Sequence, residues 1–105
     1  MGSSGLIQSH RDLVAWQKAM DLVVHIYACS DLFPTREQYR LTGQVTRSAV
    51  SVPANIAEGY SPSAPADYAR FLAIAKGSLM ETETLVITEL EKILTILRKR
   101  VLESA

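Results

Sequence analysis

From Pro65 to Ser104 the sequence gives a helix no place to stop. Apolar residues recur every three or four positions, the spacing of a helix that buries one face. No proline follows Pro65 in this run, and Gly77 is its one glycine. Taken literally, the run is a single helix of about 60 Å at 1.5 Å per residue. The helices read upstream are near half that length, so a compact fold cannot cover it. Either the helix projects from the fold, or a turn is missing from the sequence. Thr88 and Glu91 have the spacing of a capping box, a helix start. The expectation is therefore that a third helix ends near Ile87. A fourth then begins near Thr88 and packs back antiparallel, with the turn residues absent between them.

The first half reads as two helices. One runs from about Arg11 or Asp12 to Asp31, with Leu13, Trp16, Met20, Val23 and Tyr27 as its apolar stripe. Asp12 lies in the first turn, where negative charge suits the helix dipole, and Phe33-Pro34 ends the pattern. Thr35 and Gln38 form a capping box for the second helix, whose stripe is Leu41, Val45, Ala49, Val52 and Ile56. Pro53 predicts a kink or short break within it, and Gly59 a left-handed residue just past its end. A polar connector, Ser61-Pro-Ser-Ala-Pro-Ala66, leads to the third helix, with Ser63 or Ala64 at its start.

That third helix carries two lines. Tyr68, Leu72, Ala75, Leu79, Thr82 and Val86 make a core stripe, and Ala66, Ala69, Ala73 and Gly77 a line of small residues. Small side chains let another helix come close. The small line either packs inside one bundle or meets a neighbouring subunit, which makes it the candidate oligomer face. Leu90, Ile93, Leu94, Leu97 and Val101 form the stripe of the fourth helix, and Arg98-Lys99-Arg100 suits its C-terminal dipole. The fold class is all-α, an up-and-down antiparallel four-helix bundle over residues 11–105. Residues 1–10 are an N-terminal extension whose first five, Met1 to Gly5, look like the remnant of an expression tag.

The 105 residues suffice for one hydrophobic core, and 48% of them are apolar. No stretch approaches the roughly 20 apolar residues of a membrane span, and no leader precedes the fold, so a cytoplasmic protein is expected. Eleven basic residues balance eleven acidic ones, five of each up to residue 60 and six of each after it. Non-specific grip on nucleic acid usually needs a basic excess, so the balance disfavours it. Arg36, Arg40 and Arg47 with Lys76 form a basic row that is either a solvated face or a set of nucleic-acid contacts. Cys29 is the one cysteine, which excludes an internal disulfide. It shares a helix face with His25 and Asp21, too few ligands for a zinc site. No Glu-x-x-His pair supports a di-iron centre and no clustered glycines cradle a phosphate. No catalytic residue, cofactor or metal is expected.

The stretch Arg47-Ser-Ala-Val-Ser-Val-Pro-Ala-Asn-Ile-Ala-Glu-Gly59 resembles the signature of a bacterial family named after proteins encoded in intervening sequences of 23S ribosomal RNA genes. The likeness extends to Asp12-Leu-Val-Ala-Trp-Gln-Lys-Ala-Met20 and to Tyr68-Ala-Arg-Phe-Leu-Ala-Ile-Ala-Lys-Gly-Ser-Leu79. The resemblance implies an up-and-down bundle that assembles into a homopentamer of undefined cellular role; the lack of any catalytic constellation in the residues themselves makes a non-enzymatic protein the expectation. A related branch, the accessory variability determinant of diversity-generating retroelements, implies a basic pentameric barrel that engages reverse transcriptase and nucleic acid. This neutral chain departs from that branch in charge. It also departs after Ile87, where relatives have a loop, often with Leu-Gly-Tyr, before the last helix. Among the matched residues, Asn55, Glu58, Arg70 and Ser78 are polar. They read either as a cluster bracing the Pro53 kink against the third helix or as a ligand site.

Overall fold

A computed structural model of the chain describes residues 6–35, 38–60 and 64–104. The N-terminal remnant, the expected second-helix start at residues 36–37 and most of the polar connector lie outside them. The described residues form three α-helices: α1 (Val14–Ser30), α2 (Gly43–Gly59) and α3 (Pro65–Ser104). The all-α class is as expected; the count is not.

A short 3-10 turn, His10–Asp12, precedes α1 and carries its own capping box. The Asp12 carboxylate accepts from the backbone N–H of Gln8 at 2.8 Å and of Ser9 at 3.3 Å, and the Ser9 hydroxyl accepts from Arg11 N–H. Leu13 is extended, so α1 starts slightly later than the periodicity suggested. The packed side of α1 is Ala19, Ile26 and Ser30, with Trp16, Leu22 and Val23 half-buried. Met20 and Tyr27, assigned to the core by spacing, are exposed. In a helix this rich in apolar residues, periodicity alone admits several faces, and contact with α2 chooses among them.

A π-helical turn, Gln38–Thr42, leads into α2. The stripe predicted for α2 is its core: Val45, Ala49, Val52 and Ile56 are all buried, and Leu41 is half-buried. Pro53 is itself buried, and α2 continues through it without the expected break. Gly59 is the last helical residue, not a left-handed one beyond the end, and Tyr60 after it is extended. Gly59 is required for another reason. A Cβ there would lie 2.8 Å from Cγ of Phe71 on α3, closer still to its Cβ. Where α2 crosses the start of α3, only a residue without a side chain fits.

Helix α2 is the centre of the molecule, packed on α1 at one side and on α3 at the other, while α1 and α3 barely touch. Two apolar clusters fill these contacts. Ala19, Val52, Ile56 and Ala75 form one; Ile26, Phe33, Val45 and Ala49 form the other, with Leu85 and Val86 against it.

Helix α3 begins at Pro65, as the proline predicted, and then runs unbroken for 40 residues. Among the described residues no fourth helix packs back. The molecule measures 65 × 29 × 20 Å, its long dimension being that of α3. Thr88 does not act as a cap. Its hydroxyl donates to the Thr84 carbonyl at 2.7 Å, one turn back, and Thr84, Thr82 and Thr95 bond the same way. Each threonine is thus satisfied inside the helix, and nothing near Thr88 favours a turn over another hydrogen-bonded residue.

Candidate assembly surface

The residues expected to form one polar cluster are divided by the fold. Ser78 and Asn55 are joined through Ser51. The Ser51 and Ser78 hydroxyls lie 2.8 Å apart across α2 and α3, and the Asn55 amide donates to the Ser51 hydroxyl at 2.9 Å and its carbonyl at 2.7 Å. One turn away, the buried Ser48 and Thr82 hydroxyls pair at 2.8 Å. The two helices are therefore pinned by a short hydroxyl ladder. Its members Ser48 and Ser51 lie inside the Arg47–Gly59 stretch but were not among the polar residues singled out there. Glu58 and Arg70 are not part of it. Both are exposed; Arg70 lies 3.9 Å from the Asp67 carboxylate, at the surface, and 4.5 Å above the Phe71 ring. The ladder braces two helices through Asn55 and Ser78, and Glu58 and Arg70 stand apart from it.

The basic row is also dispersed. Arg36 lies outside the described residues. Arg40 and Arg47 are exposed, and Arg40 lines a cleft of about 330 Å³ with Gln44, Thr88, Glu89 and Lys92. Lys76 lies elsewhere, on a groove between α1 and α3, with Lys18 across from it. Glu89 is a surprise. It belongs to none of the apolar stripes read from the sequence, yet it is only 2% exposed, and its Oε2 has no hydrogen-bond partner among the described residues. The side chain is held against the start of α2 and the cleft there. On α1, His25 Nδ1 lies 2.7 Å from the Asp21 carbonyl, an ordinary bond within a helix.

The largest unsatisfied surface is apolar. Because α1 and α3 flank α2 without meeting, a groove of about 430 Å³ runs between them. Ala19, Val52, Ile56 and Ala75 form its floor, and Leu22, Leu72 and Leu79 its walls. Beyond the hairpin, α3 carries a second apolar strip. Leu90, Leu94, Leu97 and Val101 are 51, 48, 50 and 66% exposed. Pro34 lies beside Ile93 and Ile96 and borders the strip at Leu97, which still stays half-exposed. The small residues Ala66, Ala69, Ala73 and Gly77 are exposed as well, and a Cβ at Gly77 would meet nothing within 4 Å. Soluble monomers rarely leave contiguous apolar surface of this kind wet; such patches mark contact sites.

Among the described residues no helix is long and apolar enough to cross a membrane. Residues 11–102 match the family model described as 23S rRNA-intervening sequence protein. A comparison with curated proteins finds no match.

Proposed function

The chain belongs to the 23S rRNA-intervening sequence protein family, and from that premise we propose that it is a non-enzymatic assembly module, a homo-oligomer built on four-helix lobes. One observation carries the reading: a single chain bears an open apolar groove and, on the same helix, an exposed strip of leucines. Burying about half of each large aliphatic side chain contributes on the order of 1 kcal/mol apiece, so several together favour association strongly. The likeness noted in the sequence supports a ring of five lobes, and the exposed small residues Ala66, Ala69, Ala73 and Gly77 are the candidate contact between them. A ring contact is heterologous, so these small residues meet a different patch on the next lobe.

The competing reading, a nucleic-acid accessory protein, is not favoured. Of its candidate cations, Lys76 is on the groove and Arg40 on the cleft, so these two do not converge; Arg36 lies outside the described residues. Light scattering after size exclusion tests the assembly. The expected result is a multiple of the chain mass at micromolar concentration. A single chain refutes it. A shift of labelled RNA that weakens steeply with salt would point instead to the accessory reading. Ala73→Leu tests the small face. Ala73 is exposed within one chain, so the variant should lose lobe-to-lobe contacts while keeping its helix content.

A further inference from the structure

We propose that the groove between α1 and α3 is filled by the overhang of α3 from a second copy of this chain, in a reciprocal exchange that completes a four-helix lobe at each end of a two-fold dimer. This deepens the assembly reading above and rests on it.

The two unpartnered faces are complementary, and they belong to the same helix. The groove is walled on one side by Leu72, Lys76 and Leu79 of α3. The overhang presents Leu90, Leu94, Leu97 and Val101. At 3.6 residues per turn, Leu72, Leu79, Leu90 and Leu97 project from one side of α3. One half of the strip borders the groove and the other half extends beyond the fold.

A chain cannot satisfy itself here. Antiparallel helices joined within one chain need a connection of about 2–8 residues. Leu85 to Glu91 is helical throughout, with Thr88 tied back to Thr84. The overhang therefore points away from its own groove. A second copy rotated by half a turn about an axis near Val86 and Ile87 points its overhang along that groove, antiparallel to α1 and α3. Residues equidistant from that axis then meet, Leu94 with Leu79 and Val101 with Leu72. Leu97 lies over Lys76, whose aliphatic stem can cover it while the ammonium stays in water.

The lengths agree. The overhang from Thr88 to Ser104 has as many residues as α1, the helix it would lie against. The strip is long enough to cover the groove from Leu79 to Leu72 without passing its end. An exchange about a straight helix is isologous: the same surface serves both copies and the assembly closes at two. The small residues of each lobe remain outside it. A ring of five lobes through them would then contain ten chains.

The exchange predicts an even number of chains. Light scattering should give two, or ten if rings form. An odd number above one would overturn the exchange and leave self-association standing; one chain would overturn both. The decisive variant inserts a seven-residue glycine–serine turn between Ile87 and Thr88. It frees the last helix to fold back onto its own groove, so the mass should halve with helix content retained. An unchanged mass overturns the proposal. Should the insertion fail to fold, cross-chain chemistry decides. In a Cys29→Ala background, Leu72→Cys and Val101→Cys chains are mixed, unfolded, refolded together and oxidised. A disulfide joining the two different chains is expected, and its absence overturns the exchange.

Discussion

Gly59→Ala sets two well-characterised effects against each other. Glycine inside a helix is about 1 kcal/mol worse than alanine, and Gly59 is helical with no left-handed backbone to preserve. By propensity alone the substitution stabilises. The structure predicts the reverse. The added methyl would lie 2.8 Å from Phe71 Cγ and closer still to Phe71 Cβ, an atom fixed to the α3 backbone. Rotating the phenyl ring away cannot relieve that contact, so α2 and α3 must separate at their crossing. Overpacking of this kind typically costs about 1–3 kcal/mol. A contact with an atom that cannot rotate away belongs at the upper end. Setting about 3 kcal/mol lost against about 1 gained leaves a net loss near 2 kcal/mol. For a domain of this size that lowers Tm by roughly 8–16 °C. Thermal melts followed by circular dichroism, at matched chain concentration because oligomers melt by mass action, read the change. Gly77→Ala is the control within the chain, since its Cβ meets nothing within 4 Å. It should not share the loss. A Gly59→Ala variant that melts at or above the wild type would refute the reasoning.

Ser48→Ala should cost about 1 kcal/mol by urea unfolding, because it removes the buried bond to Thr82 while leaving Thr82 its Ser78 carbonyl. A loss below about 0.3 kcal/mol would show that the hydroxyl ladder adds nothing net. Leu97→Ala distinguishes a wet strip from a covered one. Half-exposed within one chain, Leu97 should matter little there, at about 0.5 kcal/mol or less for a surface change. Buried by a second copy it should cost about 2–5 kcal/mol, seen as a dissociation midpoint that moves to higher protein concentration. Ala73→Leu should cost about 1–3 kcal/mol at each lobe contact and reduce the assembly mass before the chain unfolds.

What was legible in the sequence follows the strength of each local signal. The α2 stripe was read correctly because Val45, Ala49, Val52 and Ile56 share one side of a helix with only one other large aliphatic residue, the exposed Val50. The α1 stripe was not. Leu13 to Tyr27 is apolar on more than one face, so the choice of Ala19 and Ile26 over Met20 and Tyr27 belongs to tertiary contact. Gly59 was singled out for the wrong reason: a glycine near a helix end commonly means a left-handed cap, and this one means a close approach by Phe71. Among the candidate polar residues, Asn55 and Ser78 proved connected, but through Ser51, a small residue of the same stretch that nothing in the spacing singles out. Glu89 was missed because periodicity sorts charged residues outward, and it cannot register the start of α2 lying over one of them.

The absent turn is a different kind of failure. The sequence contains a helix start at Thr88 and an amphipathic strip after it, and both are what a fourth helix needs. Yet a capping box is only a preference. Thr88 can accept from the N3 backbone N–H of a new helix or donate to the carbonyl one turn behind, and with no glycine or proline nearby the second keeps every backbone bond of α3 intact. Breaking the helix would leave carbonyls and N–H groups unpaired on both sides of the break, which only a connecting loop can solvate or turn. The strip must still be buried, but the hydrophobic effect has no direction and does not distinguish a groove in the same chain from one in a neighbour. Connectivity alone makes that distinction. The chain's four-helix pattern is thus compatible with the three helices observed, the fourth position in each lobe of the proposed exchange being filled by another molecule.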